Sequence, residues 1–213
     1  MKKIGILGSG AVAKTLGSGF LKHGHEVMLG TRSADKLEAW KATNGGAQVG
    51  TFADAAAFGD IVVLAAKGTA AKSALELAGA ENLNGKIVID TSNPIDGAPT
   101  NGVLRYFTPQ NDSLMEQLQA AFPNAHFVKA WNSIGSAYMV NPAFVEGRPS
   151  MFICGNSDAA RAEVSVILEK FGFEVEDMGM AEAARAIESL CMLWCIPGFR
   201  EGKWSHAFRL MKK

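Results

Sequence analysis

A glycine-rich run close to the amino terminus limits the possible folds more than any other feature. Gly8-Ser9-Gly10-Ala11-Val12-Ala13 has the form G-x-G-x-x-A and directly follows the short apolar run Lys3 to Leu7. After it Val12, Leu16 and Phe20 recur at i, i+4 and i+8, so the segment reads as strand, tight turn and helix. In that setting Gly8 takes the turn, Gly10 lets a diphosphate approach the backbone, and small Ala13 allows the helix to pack closely on the strand. The first helical amides, with Ser9 and Ala11 beside them, then face an anion. Met1-Lys2-Lys3 followed by Ile4 to Ala13 imitates a leader peptide, but a first crossover accounts for the same residues.

The remainder of the chain repeats the alternation. Glu26 to Leu29, Gln48-Val49, Ile61 to Ala66, Lys86 to Asp90 and His126 to Trp131 read as strands, with helices over Ala34 to Thr43, Phe52 to Phe58, Thr69 to Ala78 and Ser113 to Phe122. Ile61 to Ala66 contains no polar residue, as expected for a strand covered on both faces. Ser92 to Pro109, rich in Pro, Gly and Asn, is the longest irregular stretch. After a soft boundary near Asn141 to Pro149, Met151 to Cys154, Arg161 to Phe171, Glu174 to Asp177 and Ala181 to Trp194 continue as strand, helix, strand, helix. The expected fold is α/β, a Rossmann-type, doubly wound, mostly parallel sheet with a small C-terminal α/β segment. Residues 1–140 form the dinucleotide-binding domain, and residues 141–213 form a smaller domain that completes a cleft.

Composition narrows the function. Lys plus Arg total 21 and Asp plus Glu total 21, so no net field exists to attract nucleic acid or an acidic membrane, and a small-molecule partner is expected. Leu190 to Phe199, the longest apolar stretch, is too short to span a bilayer. Cys154, Cys191 and Cys195 include no CxxC pair, which fits a reducing cytoplasm better than a disulfide framework. His23 and His25 have no further ligands nearby in sequence, so no metal is expected. Cys191 and Cys195 share a helical face and read as packing residues.

Cofactor choice is written about twenty residues after Gly10. An NAD-selective site would place Asp or Glu there, whereas this chain has Gly30-Thr31-Arg32-Ser33. Thr31 and Ser33 offer hydroxyls, Arg32 offers a guanidinium that can pair with a phosphate dianion, and Lys36 adds charge from the next helix. NADP(H) is the expected cofactor. Other strand ends supply Ala65, Ala66 and Lys67, then Thr91, Ser92 and Asn93, and finally Asn132, all candidate cofactor contacts.

Five short motifs occur in order: Ile4 to Gly10, Gly24 to Arg32, Asp90 to Pro94, Val128 to Ile134, and Ile153 to Asn156. Together they resemble the F420-dependent NADP oxidoreductases and are similar to the cytosolic reductase domains of six-transmembrane metalloreductases. The likeness includes Ala181 to Pro197, which matches the family's closing helix. It implies hydride transfer between NADPH and a flavin or deazaflavin ring, with Ser133 to Gly135 and the Pro94 loop flanking the acceptor, and a homodimer. In such enzymes ring positioning does most of the work, which agrees with the lack of an evident catalytic His or Cys. Trp131 and the Pro94 to Pro109 loop, with Arg105, Tyr106 and Phe107, depart from archaeal members. An NADPH-binding sensor without turnover, or a reductase of another small substrate such as a cyclic imine, is the alternative.

Overall fold

Each apolar run adds a strand parallel to its neighbours: β1 (Lys3–Leu7), β2 (Glu26–Gly30), β3 (Gln48–Gly50), β4 (Ile61–Leu64), β5 (Ile87–Asp90) and β6 (His126–Lys129). The computed structural model, which describes residues 1–213, orders them β3-β2-β1-β4-β5-β6 with every adjacent pair parallel. The two halves of this Rossmann sheet wind outward from β1 and β4, so the strand order reverses between those two strands.

Alternation along the strands divides the apolar side chains between the two faces. Ile4, Ile6, Ile61, Val63, Ile89 and Val128 join one buried cluster with α1 (Ala11–Lys22), α2 (Glu38–Thr43) and α6 (Asp158–Lys170). Leu7, Val62, Leu64, Val88 and Phe127 join the other, with α3 (Phe52–Phe58), α4 (Gly68–Ala78), α5 (Leu114–Ala121) and the start of α7 (Ala184–Glu201). Both faces are therefore covered, which explains why β4 tolerates no polar residue. The C-terminal strands β7 (Ser150–Ile153) and β8 (Glu174–Asp177) form a separate parallel pair. A single antiparallel bridge, Lys129 to Cys154, links them to β6. Met151, Ile153, Val164 and Phe173 enter the same buried cluster as Ile4 and Ile6.

Several elements differ at their ends from the sequence reading: β4 stops at Leu64, α6 starts at Asp158, and three others depart further. Ala34–Leu37 is a 3-10 turn, and α2 begins only at Glu38. The sixth strand stops at Lys129, because Trp131 adopts φ 58°, a left-handed conformation that a strand cannot hold. In contrast, α7 runs past Trp194 and through Pro197 to Glu201, where left-handed Gly202 ends it. Pro197 removes the donor for the Leu193 carbonyl, and Leu193 lies on the exposed side of the helix.

Candidate cofactor and acceptor cleft

Loops leaving the carboxyl ends of β1, β2, β4 and β5 meet at the reversal in strand order, where open α/β sheets bind ligands. Gly8 has φ +152°, and a Cβ there would lie 2.4 Å from the Ala65 carbonyl oxygen, so the turn requires glycine. Ala13 is buried directly against it. Gly10 is the N-cap of α1, with no side-chain cap and no acidic residue in the first turn, and the space where its Cβ would stand is open. The first amides of α1 are therefore left to an external acceptor.

Two lobes share Gly10, Ala65, Ala66 and Lys67 and so form one trough. The first, about 520 Å³, is lined by Gly8, Ser9, Thr31, Arg32, Ser33 and Lys36, with Phe52, Ala70 and Leu77 among the residues opposite. The Thr31 hydroxyl donates to the Ser33 carbonyl (3.2 Å) and accepts from the Ser33 amide (3.1 Å). Thr31 thus shapes the loop, leaving Arg32 exposed. Neither Arg32 nor Lys36 is held in an ion pair. An open helix terminus beside two unpaired cations fits a diphosphate plus a further phosphate.

The second lobe, about 620 Å³, is lined by Ala11 and Val12 on one side and by Thr91, Ser92, Asn93, Ile95 and Gly97 on the other. Asn132 is not on the lining of either lobe. It lies behind Asn93: its Nδ2 donates to Asn93 Oδ1 (3.1 Å) and to the Ile187 carbonyl (2.8 Å), while Asn93 Nδ2 donates to the Asn132 carbonyl (2.9 Å). Ser133 and Ile134 are buried, and the Trp194 ring covers Gly135, so this segment does not line the lobe as the family likeness implied. The Pro94 to Pro109 loop folds back on itself through an Ile95 to Tyr106 bridge and the Asp96–Arg105 ion pair (3.1 Å). Tyr106 donates to the Glu188 carbonyl (2.6 Å) and packs with Leu104, Cys191, Trp194 and Cys195. It is turned onto α7 and leaves the lobe open.

The sequence reading missed a charged group behind this wall. Lys129, fully buried, donates to Asp90 Oδ2 (2.6 Å), the Ser92 carbonyl (2.9 Å) and, as an ion pair, Glu188 Oε1 (2.8 Å). Burial alone would depress the Lys129 pKa, but the Asp90 and Glu188 charges outweigh it and raise the value above that of an ordinary lysine. Burial also pushes the Cys154 thiol up to about 12, so it is inert. Cys191 and Cys195 are free and buried, with sulfurs 3.9 Å apart.

Comparison with known proteins bears directly on this geometry. Residues 3–94, which hold β1 to β5 and most of the trough, match the family model described as NADP oxidoreductase, coenzyme F420-dependent. A solved structure from Arthrobacter sp. FB24, provisionally described as an F420-dependent NADP reductase, is 35% identical, with TM-score 0.93 and all of both chains covered. The chain belongs to the F420-dependent NADP oxidoreductase family. Members of this family are NADP-dependent oxidoreductases. The F420-dependent NADP reductase of Methanocaldococcus jannaschii is 28% identical over 81% of this chain and 82% of that protein. Metalloreductase STEAP3 of Rattus norvegicus is 30% identical over 88% of this chain but only 36% of its own length. The chain thus spans about a third of the curated metalloreductases it matches. No helix here is long and apolar enough to cross a membrane.

Proposed function

We propose that this chain binds NADP(H) in the trough and transfers hydride between it and a flavin-like or deazaflavin acceptor. The observation that carries the reading is the placement of unpaired Arg32 and Lys36 beside the open amides of α1, in a trough that continues into a second, less charged lobe. When bound, NADPH supplies the hydride. The chain's own contribution is positional: α1 amides hold the diphosphate, Arg32, Ser33 and Lys36 hold the additional phosphate, and Thr91 to Asn93 back the reacting ring. The walls around Val12 and Ile95 exclude water and bring the acceptor alongside.

Following NADPH oxidation with FMN, FAD, the deazaflavin and an iron chelate in turn tests this. Oxidation by one of the ring acceptors is the expected result. Tight NADPH binding without oxidation by any acceptor would replace the reading with that of a nucleotide sensor.

A further inference from the structure

Asp90 and Lys129 belong to two of the short motifs that carry the family likeness, yet the side chain of neither lines the trough. Both are fully buried, and Glu188, from the other end of the chain, is 2% exposed beside them. All three Lys129 donors are used, on Asp90, Glu188 and the Ser92 carbonyl. Apart from the Ser92 hydroxyl, every partner of the carboxylates is a fixed donor. Asp90 Oδ1 takes the Ser92 amide (2.8 Å) and hydroxyl (2.6 Å), while Glu188 takes the Leu114 and Met115 amides at the start of α5 (3.0 and 3.1 Å). The group sets two carboxylates, each in an ion pair with Lys129, against one positive charge. The α5 amides offset part of the excess. Ser92, bonded to Asp90 and Lys129 alike, is itself part of the lining of the second lobe.

We propose that the Asp90–Lys129–Glu188 group biases the bound NADP couple toward its oxidised form. A nicotinamide ring in the second lobe carries a positive charge when oxidised and none when reduced, so a buried net negative charge behind Thr91 to Asn93 distinguishes the two. In a partly buried site one charge within about 10 Å of the ring changes such a ratio on the order of tenfold. These residues act through the electrostatics and placement of the loop and are positioning residues. The inference rests on the proposed NADP site.

Calorimetric dissociation constants for NADP⁺ and NADPH test it, read as their ratio, with circular dichroism confirming the fold of each variant. The wild type binds NADP⁺ at least as tightly as NADPH. Glu188→Gln, which removes the excess charge, shifts the ratio on the order of tenfold toward NADPH. The conservative variant Glu188→Asp keeps the excess charge and leaves the ratio close to that of the wild type. A purely structural role would weaken both forms equally and leave the ratio unmoved in folded Glu188→Gln, which overturns the proposal. Should that variant not fold, the wild-type ratio decides: NADPH bound more than tenfold tighter than NADP⁺ overturns it. A wild type that binds neither form defeats the cofactor site itself, a result distinct from an unmoved ratio.

Discussion

In the proposed NADP site, Arg32 concentrates the cofactor choice in one side chain. It is exposed, free of carboxylate partners and lifted by the Thr31–Ser33 turn, so nothing in the protein competes with a phosphate for it. Arg32→Ala should weaken NADPH binding by about tenfold to a hundredfold, the loss of one charge-assisted contact, while leaving NADH binding nearly unchanged. Titrating both nucleotides against the variant checks this, and an unchanged preference would remove Arg32 from the role. Gly8, Gly10 and Arg32 were legible in the sequence because their demands are local: a positive φ, an open N-terminus, a loop without an acid. Lys129 was not. A lysine on a strand carries no sign of its partners, and Glu188 is supplied by a helix whose approach only the tertiary fold determines. The left-handed turn at Trp131 was equally hidden, since its indole donates to the Met139 carbonyl (3.1 Å) and packs edge-on against Phe20 and Phe171, both far along the chain.

At the level of elements, strands and helices were legible in type and order, and errors collected at their ends. The crossover helices were readable because each buries one stripe. The extension of α7 was not, since Pro197 reads as a stop when its solvent-facing surroundings are unknown. Helices α5 and α7 are tied by Arg185, which donates to both oxygens of Glu116 (2.5 and 3.0 Å). The Arg185 hydrogen bonds hold the Glu116 carboxyl below the usual glutamate range, despite some burial. A depressed carboxylate contributes stability above its unfolded pKa, about 4.3, and loses it as pH falls through the lower folded value. Arg185→Met should therefore melt below the wild type at pH 7, with the gap closing as pH drops beneath about 4. Parallel melting curves from pH 3 to 7 would show this, and a constant gap would mean that the pair is not the cause.

For the whole molecule, the doubly wound parallel sheet followed from short alternating units of strand and helix, whereas the order of its strands and the seating of β7 and β8 did not. Their apolar residues complete the cluster that begins at Ile4, a packing decision that periodicity along the chain does not record. The outer surface leaves Val103, Phe107, Leu193, Phe199 and Trp204 each at least 40% exposed, with Phe199 and Trp204 meeting edge to face. We propose that this apolar surface pairs two copies of the chain, as the family likeness implies. Sedimentation at micromolar concentration should give twice the chain mass of 22.6 kDa, and a single-chain species would remove the pairing.

Tyr106 joins the Pro94 to Pro109 loop to the carbonyl of the same Glu188 whose carboxylate grips α5 and Lys129. One rim of the second lobe is thereby bolted to two helices and a strand, and moving it would break polar contacts in several layers at once. If the proposed acceptor enters that lobe, a rim so held should sort molecules by their thickness on arrival and not by a flap folding over them afterwards.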